Sequence, residues 1–111
     1  MSESTVPPLH PAKEFAGSFV RHWSQNSFGF STVQIDNGWL VFRRGGMCEV
    51  LHAGLCEVTV GHNWLSSRYW LLFEGPDGAV MDGRWFIPYR PRRLLGALSD
   101  CGATVSPLRV R

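Results

Sequence analysis

Val33-Gln34-Ile35-Asp36-Asn37-Gly38-Trp39-Leu40-Val41 alternates apolar and polar residues on either side of an Asn-Gly pair. Alternation with period two marks a half-buried strand. Asn-Gly is a strong hairpin signal, because a type I′ turn needs positive φ at both central positions. This stretch reads as two antiparallel strands joined by a tight turn.

The sequence on its C-terminal side continues in kind. Arg44-Gly45-Gly46 is a second turn, and Met47 to Leu51 a third strand. Ala53-Gly54 breaks it, and Leu55 to Val60 forms a fourth. Gly61 to Ser67 reads as a loop carrying Trp64. Arg68 to Glu74 has apolar residues on both faces and reads as a central strand. Gly75-Pro76-Asp77-Gly78 is a tight turn. Ala79 to Met81 and Arg84 to Ile87 are strand-like about a turn or bulge at Asp82-Gly83. A helix then starts near Pro91, buries Leu94, Leu95 and Leu98, and ends at Gly102. Thr104-Val105 and Leu108 to Val110 suggest a short final strand interrupted by Pro107.

On the N-terminal side, Phe15, Phe19 and Trp23 fall four apart, with Val20 beside them. That spacing makes one apolar helical stripe, so a helix is expected from Pro11 to near Asn26. Residues 1–10 read as a flexible tail. The expected fold is α+β: a small antiparallel sheet or barrel of about six or seven strands, with an N-terminal helix and a C-terminal capping helix. Residues 11–111 form one domain, in keeping with a chain of 111 residues.

Three stretches resemble a bacterial pleckstrin-homology-like domain: the hairpin Val33 to Val41, the strands Leu55 to Val60 and Trp70 to Phe73, and the helix and tail Pro91 to Leu98 and Gly102 to Val105. The resemblance implies a PH-like barrel that serves as a binding scaffold for proteins, peptides or lipid headgroups. Fold alone does not choose among these.

The formal net charge is +2, too small to demand nucleic acid or a membrane surface. Its distribution is uneven. Residues 1–83 hold five Lys and Arg against eight Asp and Glu; residues 84–111 hold six Arg and only Asp100. Arg84, Arg90, Arg92 and Arg93 gather around the start of the last helix. Arginine there opposes the helix macrodipole at a small cost that an anion relieves. The same side chains could instead be solvated or paired with neighbouring acids. Trp64 is either an exposed anchor for a partner or a plug on the end of the sheet.

No apolar run approaches the roughly 20 residues of a membrane span, no signal peptide is visible, and three cysteines suit a reduced, cytoplasmic setting. Cys48, His52, Cys56 and His62 are all zinc-capable residues, but C-x3-H-x3-C-x5-H is not a finger spacing, and the two cysteines serve equally as small apolar residues. No nucleophile elbow, phosphate loop or carboxylate pair is present. The expectation is a non-enzymatic module without a cofactor. It binds a protein partner, itself included, through Arg84, Arg90, Arg92, Arg93 and Trp64. The alternatives are an anion binder (phosphate, lipid headgroup or nucleic acid) at the arginine-rich end, and a zinc or thiol protein.

Overall fold

The computed structural model describes residues 13–21, 31–63 and 68–107. Nine strands and one α-helix occur among them: β1 (Lys13–Val20), β2 (Ser31–Asp36), β3 (Trp39–Arg44), β4 (Met47–His52), β5 (Glu57–Asn63), β6 (Arg68–Gly75), β7 (Gly78–Ala79), β8 (Trp85–Pro88), α1 (Pro91–Asp100) and β9 (Thr104–Pro107). Short 3-10 turns occupy Ala53–Leu55 and Val80–Gly83. The strands form one sheet in the order β4-β3-β2-β1-β8-β6-β5-β9, with β7 paired to β6. The sheet curls into a half-barrel. All neighbours run antiparallel except β5 and β9, which are parallel.

The turns follow the local sequence. Asn37 and Gly38 have φ of 48° and 83°, as a type I′ turn requires, and β2 pairs with β3 in register from Asp36↔Trp39 to Ser31↔Arg44. Pro91 opens α1, where its missing N–H costs nothing. Gly102 closes it at φ 102°, and Ala103 N–H reaches back to the Leu98 carbonyl at 3.1 Å.

The N-terminal helix expected over 11–26 is not formed, and the fold is mostly β rather than α+β. Lys13–Val20 is strand β1, hydrogen-bonded between β2 and β8. Residues 11–12 and 22–26 lie outside the described residues. Phe15 and Phe19 are four apart, a spacing that suits one face of a helix and equally one face of a strand. Gly17, between them, decides the matter: a Cβ there would sit 2.5 Å from the Ile87 carbonyl oxygen and 2.5 Å from Cζ of Phe86. Its bareness lets the Phe86 ring lie across β1. The strand count also exceeds the expected six or seven, because β1 replaces the helix and the tail adds β9, while the strand expected over 79–81 shrinks to the two-residue β7. β5 runs on to Asn63, into the expected loop, and the tail strand β9 pairs parallel with β5.

The concave face carries the core. Phe19, Phe42, Phe73 and Phe86, from β1, β3, β6 and β8, form a closed ring of aromatic contacts with centroid separations of 4.7 to 6.5 Å. Such tilted and edge-on pairs add to area burial by about 0.5–1.5 kcal/mol each. Val33, Leu40, Val58 and Leu71 surround them, and Leu94, Ala97 and Leu98 of α1 close the mouth. On the opposite face Val20, Trp70 and Ile87 form a second cluster beside Trp85. One more tie draws in the β4 edge: the Glu49 carboxylate accepts from Met81 N–H at 2.5 Å. It holds the 3-10 turn where Met81 and Asp82 adopt left-handed φ of 56° and 57°.

Candidate binding groove

α1 lies across the mouth of the half-barrel, next to the first residues of β1. Helical spacing puts Arg92, Arg93, Gly96, Ala97 and Asp100 on one flank. That flank and Lys13, Glu14 and Phe15 of β1 line a groove of about 550 Å³. A second recess of about 540 Å³ adjoins it, sharing Lys13, Ala97 and Asp100, and is completed by Ile35, Cys101 and the Asn37-Gly38 turn. Phe15 gives the groove apolar surface, and Ile35 gives it to the adjoining recess.

The groove is electrically graded. Arg92 and Arg93 stand at the N-terminal end of α1 and Asp100 at its C-terminal end, about 12 Å away at 1.5 Å rise per residue. Both arginines are exposed, and neither has an ion-pair partner among the described residues. The helix itself does not neutralise them. Its first turn has no acidic residue, and Arg90 at the N-cap supplies no side-chain hydrogen bond to the free N–H groups. Bare N–H groups and two cations thus share one end of the groove.

The four arginines singled out in the sequence do not form one cluster of equivalent groups. Arg92 and Arg93 line the groove. Arg90 is exposed at the N-cap, with its carbonyl accepting from Leu94 N–H at 3.2 Å. Arg84 is engaged locally: its guanidinium donates to the Met81 carbonyl at 3.3 Å and pairs with Asp82 at 3.5 Å. Trp64 lies outside the described residues. Sequence reading missed Lys13, Glu14, Phe15 and Asp100. The helical stripe 92-93-96-97-100 was available to it, but the approach of β1 was not.

Cys48, His52, Cys56 and His62 are not brought together. Cys48 is exposed on β4, and Cys56 is buried. His52 accepts from Gly54 N–H through Nδ1 at 3.1 Å and stands edge-on to Trp39 at 5.0 Å. His62 lies on β5 against Tyr69. No group of three or more His, Cys, Asp or Glu close enough to share a metal ion occurs among the described residues. Burial pushes the Cys56 thiol up to about 12, with the nearby Cys101 adding to the shift, and burial also raises Cys101. Both thiols are held protonated at neutral pH, the opposite of what nucleophilic cysteine chemistry needs.

No helix among the described residues is long and apolar enough to cross a membrane. Comparison of the chain with protein-family models, with curated proteins and with solved structures finds no match in any of the three.

Proposed function

We propose that this chain is a non-enzymatic protein-interaction module that receives an acidic, partly apolar segment of a partner protein in the groove between α1 and β1. The observation that carries the reading is the pair Arg92 and Arg93. They are exposed, lack an ion-pair partner among the described residues, and line one groove with Lys13, Glu14 and apolar Phe15. An acidic side chain docks at the arginine end, where the uncapped helix N-terminus adds to the attraction, while an apolar neighbour covers Phe15 and Ile35. The acid at the far end, Asp100, sets the direction in which such a segment lies.

The proposal includes a cytoplasmic setting, which three unpaired cysteines support. It also keeps the pleckstrin-homology resemblance, supported by the hairpin at 33–41 and the helix that closes the curled sheet.

The test is fluorescence anisotropy with a labelled peptide of alternating Glu and Leu, beside its Lys-Leu counterpart. The expected result is binding of the acidic peptide alone, weakened by salt and abolished in the double variant Arg92→Glu/Arg93→Glu. Equal binding by the double variant, or none by the wild-type chain at low salt, overturns the reading. If inorganic phosphate competes as well as the peptide does, the site is a general anion site instead. A pull-down from host lysate with both forms then identifies the partner.

A further inference from the structure

We infer that β4 is a dimerisation edge, at which a second copy of this chain adds antiparallel about a two-fold axis through Val50, continuing the sheet from one copy into the other. The outer side of β4 pairs with no strand among the described residues. Of the devices that blunt a sheet edge it has one charged residue, Glu49, which is engaged by Met81 N–H, and it has no proline, lysine or bulge. It runs six residues in unbroken register with β3. The opposite edge, β9, is four residues long and ends on Pro107. Among the described residues, four of the five large exposed hydrophobics lie along β3, β4 and the turn after them: Trp39 at 49%, Met47 at 39%, Val50 at 58% and Leu55 at 57% exposure.

The backbone fixes the register in which a second copy adds. Arg44 and Met47 flank the two-residue turn Gly45-Gly46 and are paired with each other, so in a hairpin of this length they exchange the closing hydrogen bonds. Hydrogen-bonding groups along an edge alternate in direction. Those of Met47, Glu49 and Leu51 therefore face β3, and those of Cys48, Val50 and His52 face outward. A two-fold axis at Val50 pairs Val50 with its copy and Cys48 with His52 of the other copy, twice, so all three outward residues are satisfied and the overlap stays within the strand. An axis at Glu49 would present the wrong backbone groups and oppose two carboxylates. An axis at Cys48 would run the partner into the Gly45-Gly46 turn.

Side chains agree with the Val50 register. Val41 neighbours Val50 across the sheet, so an apolar stripe Val41-Val50 continues into its symmetric copy. No like charges oppose each other across the axis either: Cys48, Val50 and His52 include no acid, Lys or Arg, and the one carboxylate of β4, Glu49, is turned to Met81 N–H. One strand and its flanking side chains make an interface at the small end of the range, under about 1,200 Å². The dimer is accordingly weak and concentration-dependent.

Sedimentation velocity on the full chain, from micromolar to on the order of 1 mM, tests this. The expected result is a reversible monomer–dimer equilibrium. Val50→Lys opposes two cations at the axis and should weaken dimerisation by about tenfold or more, with an unchanged melting temperature because the side chain is exposed. The register is tested independently by His52→Cys, which places a thiol opposite Cys48 of the other copy. Oxidation by diamide, which takes up the two electrons and two protons released as the two thiols form the S–S bond, should yield a covalent dimer in this variant. The wild-type Cys48 pair, offset by four residues, should stay uncoupled. His52→Cys forgoes the Gly54 hydrogen bond, so its fold is checked by its own melting curve. A wild-type chain that stays monomeric throughout overturns the inference. So does undiminished dimerisation of Val50→Lys, or failure of a folded His52→Cys to couple.

Discussion

Gly17→Ala separates the strand β1 from the helix that the same residues suggest, because the two predict opposite signs. In a helix interior, alanine in place of glycine stabilises by about 0.8–1.0 kcal/mol. In β1 the added methyl carbon falls 2.5 Å from the Ile87 carbonyl oxygen and 2.5 and 2.8 Å from two carbons of the Phe86 ring. Neither neighbour can yield freely. The carbonyl belongs to β8, which is paired with β1, and the ring belongs to the four-phenylalanine cluster of the core. Overpacking of this kind costs about 1–3 kcal/mol and occasionally more. At about 4–8 °C per kcal/mol for a domain of this size, the melting temperature should fall by roughly 5–20 °C. Gly96→Ala is the internal control. It lies in α1 with nothing within 4 Å of the new Cβ, and should gain about 0.5–1 kcal/mol. Thermal and urea denaturation followed by circular dichroism reads both variants. A Gly17→Ala chain as stable as wild type, or more so, would refute the packing of Phe86 across β1.

Three further outcomes follow from the packing. Glu49→Ala removes the acceptor for Met81 N–H and should cost about 1.5–3 kcal/mol, measured by urea denaturation; a loss under about half of that means the bond is not holding the 3-10 turn. Alkylation by iodoacetamide under native conditions should reach exposed Cys48 first and buried Cys56 only after unfolding, with peptide mass spectrometry assigning the sites. The folded state binds the Cys56 proton more tightly than the unfolded chain, with the thiol raised from 9.0 to about 12. Unfolded chains therefore lose that proton first as pH rises, and Cys56 contributes a fall in stability between about pH 9 and 12. Cys56→Ala should flatten the alkaline slope of the urea midpoint relative to wild type, whatever its effect on absolute stability. A parallel slope refutes the assignment.

Comparison of the two ends of the chain shows where local reading succeeds and where it stops. The Asn37-Gly38 turn, the β2–β3 register and the Pro91 start and Gly102 stop of α1 were legible. Each depends on backbone preferences and side-chain periods within a few residues. The state of Lys13–Val20 was not. Phe15 and Phe19 satisfy a helical stripe and a strand face alike, and the deciding contact comes from Phe86, about 70 residues away in sequence. Gly17 in the middle of the stripe was the one local sign against a helix, since glycine there costs about 1 kcal/mol relative to alanine.

The groove divides in the same way. Its helical flank, with Arg92 and Arg93 at one end and Asp100 at the other, is fixed by 3.6-residue periodicity and could be read directly. Its opposite wall could not, because Lys13 and Phe15 reach it only through the pairing of β1 with β2 and β8. Likewise, that Arg84 would turn to Asp82 while Arg92 and Arg93 stayed unpaired depends on the left-handed turn at Met81-Asp82. Sequence by itself determined the hairpins, the closing helix and the excess of arginine near the C-terminal end, all consequences of short-range sterics and composition. Tertiary structure decided which strand fills the slot beside β8, which arginines face a groove and which sheet edge is left open, because each depends on pairing between segments remote in the chain.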